Sequence, residues 1–221
     1  MIAELKKASP SRGLIREHFE VADLARDMAA AGAAALSVLT EEQRFQGSLE
    51  NLRIASREVS IPCLRKDFVV DQIQLLEARA FGADAALLIV AALTDLELKD
   101  LSHAAKQLQL DILCEVHDEK ELERALDAGF ELIGVNNRDL RSFEVTLETS
   151  LRLSAKIPLT ALRVAESGIH NGADIARLRS VGYQAFLIGE SLMKQPSPGD
   201  ALRKLLSDAL RSTAKTEVAT Q

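Results

Sequence analysis

Four segments of the chain repeat one pattern of apolar and polar positions. Each is a run rich in Ala and Leu that ends in glycine and is followed, two or three residues later, by an apolar run. The glycines are Gly32, Gly82, Gly129 and Gly182, at intervals of 50, 47 and 53 residues. Because glycine closes helices in the left-handed conformation, we predict a helix that ends at each glycine and a strand that begins just after it.

Further apolar runs lie between these units. Residues 61–66, 110–116 and 160–166 have the near-continuous apolar character of strands in a parallel sheet that is covered on both faces. Helical patterns separate all these strands. The predicted helices span residues 20–31, 48–58, 71–81, 94–108, 118–128, 146–156, 171–181 and 198–211, and Asp71, Thr94, Asp118 and Asn171 are suitable N-caps.

Strand and helix thus alternate eight times, which predicts a parallel sheet. Eight such units in 221 residues fit a single closed (β/α)8 TIM barrel, a fold of about 200 residues or more. The alternative is an open doubly wound sheet, but the first turn, residues 7–13, is not the glycine-rich loop typical of that fold. We therefore predict one barrel over residues 1–211 and a flexible tail over residues 212–221, which lack apolar periodicity.

The composition excludes several classes of function. A formal net charge of −6, no tryptophan and one tyrosine argue against general nucleic-acid binding. No window of about 18 apolar residues predicts a membrane helix, and the chain does not open with a secretory signal. Cys63 and Cys114 lie in apolar runs, which predicts buried free thiols and a cytoplasmic location.

The histidines and cysteines form no set with metal-ligand spacing. His18, His103, His117 and His170 are scattered among polar neighbours, and we expect all four at the surface. The sequence therefore predicts neither a metal site nor a cofactor.

Charged and polar residues collect where the predicted strands end. In a barrel of this kind the carboxyl ends of the strands form the active site. Lysines beside carboxylates in a partly desolvated site have shifted pKa values, which suit general acid and base catalysis. The strand ends carry two lysines, three carboxylates and an amide, namely Lys6, Lys66, Glu4, Glu115, Glu166 and Asn136.

Small residues follow the seventh and eighth strands. Ser167-Gly168 and Gly189-Glu190 open onto predicted helix N-termini, whose backbone amides bind anions. The loops after these two strands are also the usual phosphate site of the fold. With Ser9 after the first strand as a further hydroxyl donor, the pattern predicts a small phosphorylated substrate that is worked on by acid and base groups.

The motifs at the strand ends resemble those of one family. The segments IAELKKASPS, SVLTEEQRFQGS, LRKDFVVD, CEVHDEKEL, GVNNRDL, AESGI and LIGESLM are similar, in this order, to the motif series of indole-3-glycerol-phosphate synthase. The resemblance spans residues 1–194. It implies a carboxy-lyase of tryptophan biosynthesis that converts 1-(2-carboxyphenylamino)-1-deoxyribulose 5-phosphate to indole-3-glycerol phosphate, carbon dioxide and water.

The resemblance also implies roles for individual residues. Lys66 is similar to the general acid that activates the substrate's ketone for ring closure, and Glu115 to the acid/base group for the later dehydration. Lys6 resembles the partner of the substrate carboxylate. The other assignments are Glu4, Asn136 and Glu166 for holding the lysines and the ribulose hydroxyls, Arg138 for steadying the loop after the sixth strand, Phe68 and Leu140 for the apolar wall around the anthranilate ring, and Ser9, Ser167, Gly168, Gly189 and Glu190 for the phosphate, the last three through backbone amides.

The chain departs from the family pattern in two places. The loop after the second strand usually has two aromatic residues before Gly-Ser, and here Arg44 takes the first place while Phe45 remains. The family usually has a helical extension before the first strand, whereas here that strand begins at Ile2. We expect the barrel to fold without the extension.

Two other functions are compatible with the predicted fold. Another phosphate-binding barrel enzyme, such as a sugar-phosphate isomerase, would share the phosphate site but would not need Lys6, Lys66 and Glu115 together. A non-catalytic barrel that binds a phosphorylated metabolite would not need the strand-end charges. The resemblance favours the synthase, with a phosphorylated small molecule as substrate, no nucleic-acid or membrane partner, and a monomer or weak homodimer as the expected state.

Overall fold

The computed structural model describes residues 1–139 and 142–219, and in these ranges strands and helices alternate. The strands are β1 (Ile2–Leu5), β2 (Ala8–Ser9), β3 (Gly13–Leu14), β4 (Ala35–Leu39), β5 (Cys63–Lys66), β6 (Ala85–Ile89), β7 (Asp111–Val116), β8 (Leu132–Asn136), β9 (Leu162–Glu166) and β10 (Ala185–Ile188). The helices are α1 (Val21–Ala30), α2 (Leu49–Glu58), α3 (Gln72–Ala80), α4 (Asp95–Gln107), α5 (Glu119–Asp127), α6 (Glu148–Ser154), α7 (Gly172–Ser180), α8 (Glu190–Met193) and α9 (Pro198–Ala219).

Eight of the strands close into a barrel. The order around it is β1-β10-β9-β8-β7-β6-β5-β4, and every neighbouring pair is parallel. β1 pairs with both β4 and β10, so the sheet has no free edge. The predicted (β/α)8 barrel is confirmed, and the open doubly wound sheet is wrong.

Side chains alternate between the barrel interior and the layer under the helices. Leu64, Leu87, Leu113, Val164 and Leu187 point inward and form a small apolar cluster that fills the barrel. Their sequence neighbours point outward into a much larger core between the strands and the helices. Because side chains alternate along a strand, the inward positions continue above this cluster to the residues at the carboxyl ends of the strands.

The helix boundaries follow the local signals in the sequence. Asp71, Thr94, Asp118 and Asn171 all accept a hydrogen bond from a backbone amide in the first turn of their helices, which confirms the four predicted N-caps. Gly32, Gly82, Gly129 and Gly182 have φ angles of 98°, 88°, 81° and 94°. This left-handed backbone ends each helix and turns the chain into the next strand.

Four elements differ from the predicted pattern. β2 and β3 form a two-residue antiparallel hairpin after β1, which is too short to produce a periodic signal. The single helical turn α8, which directly follows β10, is also too short to produce a periodic signal. α9 continues to Ala219, beyond residue 211 where the sequence analysis ended it, and the flexibility of residues 212–221 stays a prediction.

Both cysteines are buried and free of disulfide bonds, as the sequence predicts. Burial is the main cause that raises the pKa of Cys63, to about 12, and that of Cys114 further still, so both stay neutral thiols near neutral pH. In the described residues no helix has the length and apolar character needed to cross a membrane.

The contact between α7 and α9 leaves no room for a side chain at Gly172. A Cβ there would lie 2.4 Å from the carbonyl carbon of Asp208 and 2.7 Å from the backbone nitrogen of Ala209. We expect Gly172→Ala to lower the free energy of unfolding by about 1–3 kcal/mol through overpacking, although alanine is the better helix former. Urea denaturation followed by circular dichroism measures the change.

The adjacent exposed residue Ala173 provides the control. Ala173→Ser adds one atom on the solvent side of the same helix, and we expect a change within about 0.5 kcal/mol. Equal effects of the two substitutions would contradict close helix packing as the cause.

Candidate active site

A cavity of about 640 Å³ opens at the carboxyl ends of the barrel strands. Its lining includes all predicted site residues that the structure describes, and it therefore brings together side chains from strands and loops around the whole ring. Leu140, predicted as part of the apolar wall, lies outside the described residues. The lining residues that the sequence analysis assigned are Glu4, Lys6, Ser9, Lys66, Phe68, Glu115, Asn136, Arg138, Glu166, Ser167, Gly168, Gly189 and Glu190.

Lys66 lies at the centre of the cavity floor, between two buried carboxylates. Its Nζ is 3.0 Å from Oε2 of Glu115 and 3.5 Å from Oε2 of Glu166. Asn136 donates a hydrogen bond from Nδ2 to the other oxygen of Glu115, over 3.1 Å. Both glutamates are 1% exposed, so these contacts replace the water that charged groups normally require.

The environment separates the proton affinities of the two carboxyl groups. Burial alone would raise the pKa of Glu115, but Lys66, His117 and Asn136 outweigh it and hold this pKa well below its usual range. Burial raises the pKa of Glu166 far above its usual range, and the nearby Glu115 and Glu4 add to the effect. Burial would lower the pKa of Lys66, yet the charges of Glu115, Glu166 and Glu4 raise it, so the ammonium form prevails. Pairs of groups with opposite shifts are typical of acid and base catalysis.

A second ion pair joins β1 to the same floor. Nζ of Lys6 lies 2.5 Å from Oε1 of Glu4. The space for the Glu4 carboxylate exists because residue 189 is glycine, since a Cβ there would lie 2.3 Å from Oε1 of Glu4. Gly134 has the same role for Glu166, because a Cβ would lie 2.2 Å from its Oε1. The sequence analysis missed Gly134, whose signal is a glycine at an inward position of an otherwise bulky strand.

Arg138 connects three loops at the cavity rim. Its backbone amide donates to Oδ1 of Asn136 over 3.0 Å, and its guanidinium donates over 3.4 Å to Oγ of Ser11 and to Oε2 of Glu190. Glu190 also contacts Nε of Arg12 at 3.1 Å. Burial would raise the pKa of Glu190, but the surrounding cations lower it, Lys194 most strongly through its hydrogen bond and charge, followed by Arg12 and Lys6.

One side of the cavity is apolar. The rings of Phe45 and Phe68 lie 6.5 Å apart at a tilt of 48°. Arg44, which stands where the family pattern has an aromatic residue, lines the cavity beside them. Ile89 and Leu187 extend the apolar lining down to the barrel interior. An aromatic ring could therefore contact one wall while charged groups face it from the floor.

Ser9, Ser167 and Gly168 also line the cavity, and the loop that contains Ser167 and Gly168 contacts α8 through a hydrogen bond from Ser191 to the carbonyl oxygen of Ile169. Ser167 and Gly168 both have left-handed backbones, with φ angles of 63° and 75°. A Cβ at Gly168 would lie 2.7 Å from Cγ1 of Val145, so this turn is closely packed. Ser9 is buried, and its hydroxyl has no hydrogen-bond partner among the described residues.

His117 is the residue for which the expected surface position is wrong. Its side chain is 13% exposed, with Nδ1 3.0 Å from Oε2 of Glu121 and Nε2 3.3 Å from Oε1 of Glu115. A signal was present in the sequence, because His117 lies two residues after Glu115 and four before Glu121, and its ring contacts both carboxylates. The other three histidines, His18, His103 and His170, are exposed as expected.

The comparisons with known proteins agree with the residues at the strand ends. The family described as indole-3-glycerol phosphate synthase matches residues 1–205. The chain belongs to the indole-3-glycerol phosphate synthase family. The synthase of Koribacter versatilis is 64% identical over 206 residues, which cover 93% of this chain and 79% of the relative. That of Acidithiobacillus ferrooxidans is 53% identical over 208 residues, or 94% of this chain and 79% of the relative.

Solved structures at low identity share the fold. The 3-hexulose-6-phosphate synthase of Salmonella typhimurium superposes with a TM-score of 0.75 at 13% identity, over 95% of this chain and 98% of that chain. KGPDC from Streptococcus mutans gives a TM-score of 0.70 at 14% identity, over 95% and 96%. At such identity these structures support the barrel alone, whereas the family relationship rests on the match over residues 1–205 and on the relatives at 53% and 64% identity.

The space at Gly134 yields a test of how Glu166 is positioned. We expect Gly134→Ala to displace the Glu166 carboxylate while the barrel stays folded, and to lower kcat/KM by about 10²-fold, since small misplacements of a reacting group have effects of that size. Steady-state kinetics and circular dichroism measure the two quantities.

A double-mutant cycle separates this effect from general damage. If Gly134→Ala acts through Glu166, it has little further effect in a Glu166→Gln background. Multiplicative losses in the double variant would show that the glycine is needed for another reason.

Proposed function

We propose that Lys66 and Glu115 carry out successive proton transfers in the formation of indole-3-glycerol phosphate. This is the function of the family to which the chain belongs, a carboxy-lyase activity of tryptophan biosynthesis. The observation that carries the assignment of roles is the placement of Lys66 between Glu115 and Glu166 on the floor of the cavity. The expected substrate is 1-(2-carboxyphenylamino)-1-deoxyribulose 5-phosphate.

Ring closure is the step assigned to Lys66. A bond forms between the aromatic carbon that bears the carboxylate and the ketone carbon of the ribulose chain, and the ketone oxygen takes up a proton. The neighbouring carboxylates keep Lys66 in the ammonium form, so the proton is available at neutral pH. The C–C bond to the carboxylate then breaks, carbon dioxide leaves, and its electron pair restores the aromatic ring.

Glu115 is assigned to the later loss of water. A base removes a proton from the carbon beside the ring nitrogen, the hydroxyl that arose from the ketone leaves with a proton as water, and a double bond forms. The lowered pKa of Glu115 keeps its carboxylate ionised and able to accept that proton. Asn136 and Glu166 lie beside it and are assigned to hold the ribulose hydroxyls.

The two ends of the substrate would occupy opposite ends of the cavity. Lys6, paired with Glu4, supplies a cation for the anthranilate carboxylate, and Phe68 offers the apolar wall for the ring. Arg138 supports the rim. The phosphate is assigned to the group formed by Ser9, Ser167, Gly168, Gly189 and Glu190, in the loops where this fold commonly binds phosphate.

The location and assembly of the protein are further parts of the proposal. Two buried free thiols support a reducing compartment, the cytoplasm. A monomer or weak homodimer stays the expected state in solution. The sugar-phosphate isomerase and the non-catalytic binding protein have no observation in their favour, since the cavity retains both lysines and Glu115.

Replacement of Lys66 tests the first proton transfer. We expect Lys66→Ala to lower kcat by at least about 10²–10⁴-fold, the usual contribution of a general acid, with the fold retained. Indole fluorescence follows the product. Lys99→Ala, on the exposed face of α4, is the matched control and should keep wild-type turnover, and a Lys66→Ala enzyme with a tenth of that turnover would contradict the role.

Replacement of Glu115 tests the order of the steps. We expect Glu115→Gln to slow the appearance of indole-3-glycerol phosphate in a single turnover while carbon dioxide is still released, because the amide cannot accept the proton of the dehydration. Carbon dioxide release and indole fluorescence are measured on the same reaction. Equal slowing of both signals would assign Glu115 to an earlier step.

A further inference from the structure

His117 contacts the carboxylate of Glu115 at the end of β7. Glu115 lines the cavity, whereas His117 is not among the described residues that line it. Nε2 of His117 lies 3.3 Å from Oε1 of Glu115, while Lys66 contacts the other oxygen, Oε2, at 3.0 Å. Glu115 therefore has one cation in the cavity and a second ionisable group behind it.

Glu121 fixes the protonation of the imidazole ring. Its Oε2 accepts a hydrogen bond from the backbone nitrogen of His117 over 2.8 Å and lies 3.0 Å from Nδ1. Glu121 is itself held at the start of α5, where its amide donates to Oδ1 of Asp118 over 2.9 Å. With a carboxylate at each ring nitrogen, protons on both nitrogens are favoured. Burial alone would lower the pKa of His117, but the two glutamates raise it to about 10.

Several charged groups surround His117. Glu115 at the end of β7 and Glu121 on α5 contact the ring directly. Behind Glu115 lie Lys66 on β5 and Glu166 on β9, and Glu4 on β1 adds a further negative charge to the same floor. When Lys66 gives its proton to the substrate, Glu115 loses its nearest cation and faces two carboxyl groups.

We propose that His117 is a positioning residue that stays cationic throughout turnover and keeps Glu115 ionised and oriented after Lys66 has given up its proton. This inference rests on the proposed role of Glu115 in dehydration. A cation within about 4–6 Å lowers the pKa of a carboxyl group by about 1–3 units. His117 provides such a cation without contact with the substrate, so it remains in place when the chemistry removes the charge of Lys66.

The first test measures the charge of His117 in the unmodified full chain. NMR of the protein with labelled histidines follows the ring nitrogens from pH 5.5 to pH 8.5. We expect His117 to keep both ring protons over this range. A titration midpoint for His117 within this range would overturn the proposal, and this test does not depend on any variant being stable.

The second test separates charge from packing. We expect His117→Gln to move the acid limb of the kcat–pH profile upward by about one unit or more, because the pKa of Glu115 in the substrate complex rises. It should also slow product formation more than carbon dioxide release. His117→Lys, which restores a cation, should recover at least half of the shift, and His103→Gln should match the unmodified enzyme.

The outcomes distinguish this inference from the proposed function. An unshifted acid limb in His117→Gln would overturn the positioning role, and so would a His117→Lys enzyme as impaired as His117→Gln at equal helical content. If Glu115→Gln itself leaves product formation unchanged, the proposed role of Glu115 fails first.

Discussion

The active-site floor depends on the mutual neutralisation of charges that the barrel removes from water. A carboxylate or ammonium group alone in such a site would change its protonation state instead of staying charged. Here Lys66 lies within 3.5 Å of two glutamates, and Lys6 lies against Glu4. Glu115 lies between Lys66 and His117 and Glu4 lies against Lys6, while the raised pKa of Glu166 favours its neutral form. Because the pairs share one space, a change in any member alters the protonation of the others.

The backbone makes this cluster possible by leaving space inside and by anchoring the loops outside. Gly134 and Gly189 have no Cβ where the carboxylates of Glu166 and Glu4 lie. On the outer face of β5, the neighbour of Lys66 is Arg65, whose Nη2 contacts Oδ2 of Asp67 at 3.0 Å. Thr40 donates to the same oxygen over 2.6 Å. Because side chains alternate along a strand, Lys66 faces the cavity, while the preceding residue Arg65 faces outward and holds the loops that flank β5.

The parts of the fold that could be predicted from the sequence are those with a local cause. A cap such as Thr94 and a helix-ending glycine such as Gly82 act on residues three or four positions away, so their effect is visible in the linear chain. The strand-end residues Lys66 and Glu115 were also predictable, since a charge at the end of an apolar run is conspicuous. The short hairpin of β2 and β3 gave no periodic signal.

The parts that could not be predicted depend on pairs of residues far apart in the chain. Gly134 matters only because Glu166, 32 residues later, folds over it, and Arg12 meets Glu190 across almost the whole sequence. His117 is an intermediate case. Its contact with Glu121 is local, but the reason for its burial is Glu115, whose own charge depends on Lys66 from another strand. The polar neighbours of His117 in the sequence therefore suggested a solvent-exposed side chain, whereas in the fold its ring lies between two carboxylates.

The inward residues that pack the barrel and those that line the cavity lie at different positions along the same strands. Inward positions near the middle of the barrel hold Leu64, Leu113 and Val164, where any well-packed apolar set would serve. One step further along the same inward rows lie Lys66, Glu115 and Glu166, where each side chain must match its neighbours in charge and reach. Barrels at 13–14% identity can therefore share the architecture, with TM-scores of 0.70 and 0.75. The chemistry that we propose depends instead on the residues near the carboxyl ends of the strands and on groups such as His117 that contact them.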